Sequence, residues 1–441
     1  MRSFGLLVVA VSCLIPGYLF IRLPDITDPV ALFSQYLGTL ALILMAWAQL
    51  MATRAPSIEA LMGPMDRVYV LHKWSGIIAM TAILLHDTID ADMDGIGRET
   101  ALTEIAETLG ELSLYGLLVL VVISIATFIP YHLWKWTHKA MGGFFIAGTI
   151  HYLFILKPFT NGSALGLYVG AICAAGVLAY AVTLLPTALR RSTGYQVSNL
   201  RKTGGATEIT MTPTAKPLRF APGQFAVFTF GSRGLTEPHP FSLSAPPAAD
   251  GSLQITVKAL GDFTHRLGHD LTPGTPLHVQ GPFGRFLRRP PSGSAEIWVA
   301  GGIGITPFLA WAEALPDDLP DRVALFWCVR SRSAAPQIER VEAAANRVAN
   351  LTLHILSSES GDRLTAERIA ATANGPIKLW FCGPAGLRRA LQSGLARHGV
   401  STRDIHYEEF EFRTGIGLKR LARFLLARQC APNSRIAKTR R

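Results

Sequence analysis

His72 and His86 stand fourteen residues apart in one apolar stretch of this 441-residue chain, and His138 and His151 stand thirteen apart in another. An imidazole binds a metal through one ring nitrogen while a neighbour holds the other. Ionisable groups within membrane-length apolar segments are functional candidates by default. If both stretches are helices running in the same sense, His72 and His138 share one level and His86 and His151 another. At about 1.5 Å of rise per residue, the two levels are about 20 Å apart. Two irons, each held by one imidazole from either helix as in a bis-histidine haem, need this layout. Fourteen residues return to nearly the same helix face, whereas thirteen leave the second histidine about 140° away. The second helix must therefore tilt or bend, and Gly142-Gly143 offers the place. His132 is the rival to His138, and the alternative for any one of the four is an ordinary interfacial histidine.

A second group of residues suits nucleotides. The β-rich run Ile297-Trp298-Val299-Ala300 leads straight into Gly301-Gly302-Ile303-Gly304-Ile305-Thr306-Pro307. Glycines let a backbone approach a pyrophosphate, and the following helix offers free N–H groups to it. Pro307 suits a first helical turn, where its missing N–H costs nothing. Cys382-Gly383-Pro384 follows another apolar run, Ile377–Phe381. Upstream, His239-Pro240-Phe241-Ser242-Leu243-Ser244 offers an aromatic to cover a flavin ring and hydroxyls for its polar edge. Gly261-Asp262-Phe263-Thr264 and Gly281-Pro282-Phe283-Gly284 are two further backbone-rich turns, and Tyr407-Glu408-Glu409-Phe410 ends a strand with an aromatic able to stack on the other flavin face. Arg330-Ser331-Arg332 follows the second strand, where a 2′-phosphate would lie; this favours NADPH over NADH, the alternative being a solvated basic loop.

The elements that must position these groups divide the chain. Uncharged stretches run over Ser3–Ile21, Pro29–Thr53, Leu112–Trp134, Ala140–Leu156 and Pro158–Leu189, and Val68–His86 carries the single charge Lys73. Most reach the roughly 17–25 residues that a helix needs to cross a bilayer, so an all-α bundle of six spans is predicted over residues 1–189. Span 1 contains Ala10-Val11-Ser12-Cys13, which loosely resembles a cleavage site, but its apolar run continues to Leu23 and reads as a span. Arg54, Arg67, Lys135 and Lys139 lie between spans 2 and 3 and between spans 4 and 5, with Lys73 near the start of span 3, while Asp87–Glu111 holds eight acids and one base. By the positive-inside rule both termini are cytoplasmic, in a multi-pass protein of the plasma (inner) membrane. Short β-rich runs at Phe225–Phe230, Leu253–Ala259 and Leu277–Gln280 predict an antiparallel β-barrel over 195–290. Strand–helix alternation then predicts a doubly wound α/β domain over 294–412, with strands at Glu296–Ala300, Val323–Val329, Leu351–Ile355 and Ile377–Phe381.

Charge and cysteine exclude other classes. The formal net charge is +11, yet residues 413–441 hold nine bases and no acid, so most of the excess sits in one tail. Leu418, Leu421, Ala422 and Leu425 share a helical face there, which suits a helix lying on an anionic inner leaflet, or a disordered basic end. Nucleic acid drops out as a partner; the lipid bilayer stays. The five cysteines are too scattered for a disulfide framework or an iron–sulfur cluster. Asp90-Ala91-Asp92-Met93-Asp94-Gly95 starts like a calcium loop, but Ala101 stands where its twelfth-position Glu belongs.

On these motifs residues 195–411 resemble the ferredoxin–NADP reductase superfamily, and the whole chain resembles the ferric reductase/NADPH oxidase family. The resemblance covers about residues 30–411. It implies two b-type haems on His72/His138 and His86/His151, FAD at His239–Ser244, Gly261, Thr264, Gly281 and Gly284, and NADPH or NADH at Gly301, Gly302, Gly304, Thr306, Pro307, Arg330, Arg332 and Cys382–Pro384. Ser242 by the flavin, Cys382 near the nicotinamide and Phe410 on the flavin face are the implied catalytic residues. The broader reductases usually carry Arg and Tyr where this chain has His239 and Phe241, which leaves Arg266 or Arg285 to neutralise the pyrophosphate. The implied activity passes electrons from cytosolic NAD(P)H to an acceptor outside the membrane, a ferric chelate or oxygen. The alternatives are a membrane-anchored flavin reductase feeding a quinone or a cytosolic acceptor, and a nucleotide-regulated transporter. An accessory protein is not readable from the residues.

Overall fold

A computed structural model of the chain describes residues 3–23, 28–89, 100–125, 129, 131–186, 192–289, 294–373 and 375–407. The Glu408–Phe410 ending, the acidic segment from Asp90 to Gly95, Cys430 and the basic tail lie outside these residues. The chain forms two compact units, divided between Leu184 and Leu185.

The first unit is helical: α1 (Ser3–Ile21), α2 (Pro29–Ala52), α3 (Pro56–Met62), α4 (Met65–Thr88), α5 (Ala101–Ile125), α6 (Tyr131–Phe154) and α7 (Ala164–Leu184). Among the described residues five helices are long and apolar enough to cross a membrane: α1, α2, α4 from Arg67, α5 and α7. The predicted sixth, α6, is also 24 residues long but spends its first turns on Lys135, His138 and Lys139. Large apolar side chains such as Leu14, Val119 and Leu178 face outward, as hydrocarbon surroundings require.

Two predicted spans are displaced. In place of Leu112–Trp134, α5 begins at Ala101, because Thr100 and Thr103 cap it reciprocally: the Thr103 amide donates to Thr100 Oγ1 and the Thr100 amide to Thr103 Oγ1. Glu104, Glu107 and Glu111, read as loop, are helical and exposed. At the other end Pro158–Ser163 forms a turn instead of entering the last span; the Gly166 amide donates to Ser163 Oγ, which starts α7. The helix α6 runs unbroken through Gly142-Gly143. Gly142 admits the Tyr180 ring, which a Cβ there would meet at 2.1 Å.

The second unit holds two sheets. The strands β1 (Thr193–Thr203), β2 (Ala206–Pro213), β3 (Phe225–Phe230), β4 (His239–Ser242), β5 (Leu253–Lys258) and β6 (Pro276–Phe283) form an antiparallel sheet in the order β4-β3-β6-β1-β2-β5. A bridge between Leu243 and Ile255 brings its two edges together. The first two strands escaped the apolar-run reading because only Tyr195 and Val197 of β1 turn inward, with polar residues between and beyond them. Their hairpin turns on Gly204-Gly205, both left-handed (φ 47° and 72°) as a tight hairpin requires. Helix α8 (Asp262–Asp270) connects β5 to β6.

The strands β7 (Ala295–Gly301), β8 (Val323–Val329), β9 (Leu351–Ser357), β10 (Ile377–Cys382) and β11 (Ile405–Tyr407) form a parallel sheet ordered β11-β10-β7-β8-β9, covered by α9 (Thr306–Ala314), α10 (Ile338–Arg347), α11 (Ala366–Thr372) and α12 (Ala385–Arg397). The chain leaves β7 toward β8 on one side, and β10 fills the other. That reversal opens a crevice at the carboxyl ends of β7 and β10, where open α/β sheets bind ligands.

Candidate functional site

In the helical unit all four histidines are held at Nδ1. His72 Nδ1 lies 3.0 Å from the Ala48 carbonyl and His151 Nδ1 lies 2.8 Å from the Ala106 carbonyl. A carbonyl only accepts, so both imidazoles carry hydrogen on Nδ1 and a lone pair on Nε2. His86 Nδ1 lies 3.0 Å from Ser34 Oγ, whose own hydrogen is directed at the His86 and Ile89 carbonyls, 3.0 and 2.9 Å away. Ser34 is therefore the acceptor, and Nε2 again keeps its lone pair. His138 Nδ1 lies 3.3 Å from Ser124 Oγ, and its ring stacks on Trp134 at 4.9 Å. Each histidine helix leans on one support: α4 fixes both imidazoles on α2, and α6 fixes both on α5. Partners of this kind set the tautomer and orientation of a metal-bound imidazole.

The spacing suits a planar iron group. The His72 and His138 ring centroids are 5.9 Å apart. With metal–nitrogen bonds of roughly 2 Å, two imidazoles on opposite sides of one iron would have centroids about 6 Å apart. At the other level glycines replace side chains where the rings press in. A Cβ at Gly38 would come within 3.1 Å of the His86 ring, and one at Gly110 within 2.6 Å of His151 Nδ1. Among the described residues no group of three or more His, Cys, Asp or Glu side chains could hold a metal unaided. A haem iron asks only two ligands of the protein, and these residues fit it. The supporting Ser34, Gly38, Ala106, Gly110 and Ser124 were not singled out from the sequence. The signal was present: a small residue recurs four positions on in both supports, Ser34/Gly38 and Ala106/Gly110, the pattern of close helix approach.

In the second unit the crevice is made of backbone. Gly302 is left-handed (φ 54°) with nothing within 4 Å of where a Cβ would sit, so its face is open to a phosphate. Its neighbours pack the two loops together. A Cβ at Gly304 would lie 2.2 Å from the Cys382 carbonyl, and one at Gly301 would lie 2.5 Å from Pro384 Cδ. Gly301–Gly304 and Cys382–Pro384 thus meet. The helix itself begins at Thr306, one residue before Pro307, after a 3-10 turn over Gly302–Ile305, and Thr306 is buried. Cys382 is buried at the end of β10. Cys328 pairs with Gly301, and burial pushes its thiol up to about 11, so it stays protonated at neutral pH. Arg330 and Arg332 stand on the loop after β8, each beside an acid: Arg330 is 3.4 Å from Glu359, and Arg332 pairs with Glu342.

The proposed flavin motif splits. His239–Ser242 forms edge strand β4 against β3, with partly accessible side chains. The His239 ring stacks on Phe263 at 3.5 Å. Leu243 and Ser244 are fully buried and their amides donate to the Gln224 and Gln254 carbonyls, so these two hold the end of β4 to the sheet. At α8, Thr264 Oγ1 accepts from the amides of Leu260 and Gly261 and pins the turn that starts the helix, with open space beside Gly261. Gly284 (φ 91°) accepts at its carbonyl from Gln224 Nε2, while Gly281 packs on Ala226. Arg266 and Arg285 are both exposed. Strand β11 ends at Tyr407, whose ring lies 4.0 Å beneath the Arg388 guanidinium; Phe410 lies outside the described residues.

Comparison with known proteins agrees with both halves. Residues 37–149 match the family described as ferric reductase like transmembrane component, and residues 195–292 match the FAD-binding domain family. The chain thus joins a ferric reductase-like transmembrane component to an FAD-binding reductase module. The first match supports a membrane-embedded helical half and the second an FAD-binding half. The chain is 26% identical over 208 residues to the ferredoxin–NAD(P)(+) reductase component of the naphthalene 1,2-dioxygenase/salicylate 5-hydroxylase systems of Ralstonia sp., covering 44% of this chain and 62% of that one. It is 31% identical over 189 residues to the carnitine monooxygenase reductase subunit of Escherichia coli K12, covering 40% of this chain and 54% of that one. The chain therefore spans less than two thirds of these relatives. Among solved structures, the flavohemoglobin of Malassezia yamatoensis matches 87% of this chain and 97% of its own at 16% identity, with a TM-score of 0.48.

Proposed function

We propose that the protein carries electrons from cytosolic NAD(P)H, by way of FAD and two bis-histidine haems, to an acceptor on the outer face of the membrane. The observation that carries this reading is the matched anchoring of the four imidazoles at Nδ1, two on α2 and two on α5, which aims a second ring nitrogen from each helix at each level. A nicotinamide yields two electrons as a hydride and a haem iron takes one, so the conversion is the chemistry that bound FAD supplies.

The chain's own residues bind, align and exclude. Gly302 offers its open backbone to the nicotinamide pyrophosphate, and the close contact of Gly304 with Cys382 fixes the floor on which the ring would rest. Arg330 and Arg332 favour a 2′-phosphate, so NADPH is the preferred donor. Ser242 and Phe241 on β4 would hold the flavin, and the start of α8 would take its phosphates. His72 and His138 would hold the inner iron and His86 and His151 the outer one. By the positive-inside rule Lys73, Lys135 and Lys139 favour the cytoplasmic side for the first pair, with α6 as a sixth crossing.

A reduced-minus-oxidised spectrum of the purified full-length protein tests the reading, followed by NADPH addition to sealed vesicles. A bis-histidine haem signal that NADPH reduces anaerobically is expected, with reduction of ferric chelate or oxygen on the far side. A flavoprotein without haem would overturn it.

A further inference from the structure

We propose that a buried polar latch centred on Glu208, Gln337 and Arg340 is the positioning device that sets the nicotinamide against the flavin for hydride transfer. The proposal rests on the reductase reading above and names residues that no motif contains.

Glu208 on β2 is buried in the antiparallel sheet, yet it takes hydrogen bonds from both sides of the unit. Arg201 Nε donates to its Oε1 at 3.0 Å, Arg340 Nη1 donates to its Oε2 at 2.8 Å, and Gln337 Nε2 donates to the same Oε2. Burial alone would raise the Glu208 carboxyl. The hydrogen bonds from Arg201 and Gln337 and the charge of Arg340 outweigh it and hold the group below the usual carboxylate range. Arg340 on α10 reaches two ways. Its Nε and Nη2 grip Glu313 of α9 at 2.8 and 2.7 Å, while Nη1 also donates to Gln254 of β5 at 2.5 Å. Gln337, just before α10, is 2% exposed and left-handed (φ 61°), a conformation that a non-glycine residue adopts at a cost. Its amide donates to Thr203 Oγ1 at 2.8 Å, its Oε1 accepts from Arg201, and its Nε2 donates to Thr256 Oγ1.

The latch ends at both halves of the site. Thr256 Oγ1 donates to Ser244 Oγ at 3.1 Å, and Ser244 closes the β4 motif. At the other end, Glu313 lies on α9, the helix that begins at the glycine-rich turn. A continuous polar path therefore runs from the flavin strand through Ser244, Thr256, Gln337, Glu208, Arg340 and Glu313 to the nucleotide helix.

The energetics point to geometry rather than adhesion. Buried ion pairs rarely outdo well-packed apolar residues of the same volume, because the charges lose their water. Adhesion is already supplied nearby: Phe286 stacks on Trp311 at 4.8 Å, and Trp311 Nε1 donates to the Pro222 carbonyl at 2.9 Å. What directional bonds to four elements add is one relative angle between sheet and helices. Hydride transfer needs reacting atoms about 3–3.5 Å apart, and a 1 Å error can cost about 100-fold.

The test is anaerobic stopped-flow reduction of the full-length protein by NADPH, comparing the unsubstituted chain with Arg340→Met, Arg340→Lys and Gln337→Gly. Arg340→Met is expected to lower the limiting flavin-reduction rate by about tenfold to 100-fold, with FAD content, NADPH Kd and dithionite-reduced spectrum unchanged. It should also raise the primary isotope effect with 4-deuterated NADPH. Arg340→Lys should recover only part of the rate, since an ammonium cannot bridge two carboxylates as a guanidinium does. Gln337→Gly relieves the left-handed backbone while removing the amide bridge, so the rate should fall with Tm held or raised. A lowered Tm in Arg340→Met with the limiting rate and isotope effect intact would overturn the proposal, as would an unchanged rate in Gln337→Gly. If NADPH and NADH both fail to reduce the unsubstituted protein's flavin, the reductase reading itself falls, a result seen before any substitution is compared.

Discussion

In the helical unit every proposed cofactor contact is a side-chain atom, and each is set by one partner on a neighbouring helix: Ala48 and Ser34 on α2, Ala106 and Ser124 on α5. In the second unit the contacts are largely backbone, and what fixes them is the absence of side chains at Gly301, Gly302 and Gly304. The difference follows from the solvent each unit faces. A helix in hydrocarbon has its backbone groups bonded internally and can offer a ligand only side chains. The carboxyl edge of a parallel sheet has free amides and can offer the chain itself. Substitutions should therefore act differently: in the helices by deleting an atom, in the sheet by adding one.

The largest effect is expected from deletion of a ligand. His72→Ala or His138→Ala should remove one haem, lowering haem per polypeptide from two to one and abolishing electron flow across the membrane. NADPH reduction of a soluble acceptor such as ferricyanide should persist, because the second unit is untouched. Haem content that stays at two would break the assignment of that level. Addition comes next. Gly304→Ala places a methyl 2.2 Å from the Cys382 carbonyl, so the two loops must part. A fall of about 100-fold in flavin reduction, with haem content unchanged, is the expected outcome. Gly302→Ala meets no protein atom within 4 Å and costs the fold only the left-handed backbone, about 1–2 kcal/mol, but its methyl stands on the face proposed for the pyrophosphate and should weaken NADPH binding. The larger loss in Gly304→Ala would show that loop packing, more than backbone freedom, holds the site.

These two regions were also legible to different degrees. Histidine spacing within apolar runs carried the first site, since few residue types are tolerated there without a reason, but its supports are Ser, Ala and Gly, which look like ordinary apolar filling. The start of α5 was misplaced by the same logic. Absence of charge puts the start of this span at Leu112, whereas the Thr100–Thr103 cap begins the helix eleven residues earlier and carries three glutamates into it. In the second unit the glycine turn and Cys382-Gly383-Pro384 were readable from their place after strands. Leu243 and Ser244 continue the motif in sequence, but the bridge to Ile255 and their amide bonds to Gln224 and Gln254 hold both in the interior. Nothing in sequence joins Glu208 to Gln337 and Arg340; only the packing of β2 against α10 makes them neighbours.

A support residue should matter less than a ligand. Ser34→Ala removes the acceptor for His86 Nδ1 and leaves the imidazole free to rotate. Loss of such a partner typically costs about 10–100-fold in metal affinity. Haem should remain bound at the outer level but be lost faster to a haem-scavenging protein, with a shifted potential and a normal inner haem. Loss rates equal to the unsubstituted protein would mean that α2 packs against His86 without orienting it.

The smallest effect concerns the choice of nicotinamide. On the proposed reading Arg330 and Arg332 receive a 2′-phosphate, but Glu359 and Glu342 already pair with them. A phosphate must displace or share those carboxylates, so the loop is less selective than its two arginines suggest. Exposed pairs of this kind are worth about 0.2–1 kcal/mol, which corresponds to roughly 1.5- to 5-fold in a binding ratio. Glu342→Gln, alone or with Glu359→Gln, should therefore raise kcat/KM for NADPH over NADH by a few-fold, leaving the NADH value unchanged because NADH has no phosphate to gain. Arg332→Ala should shift the ratio the other way. Equal changes for both nucleotides would assign the loop to folding, and an unaltered ratio in Arg332→Ala would make it a solvated surface. Either result would confine backbone-style recognition in this unit to the pyrophosphate and leave side-chain recognition to the membrane helices.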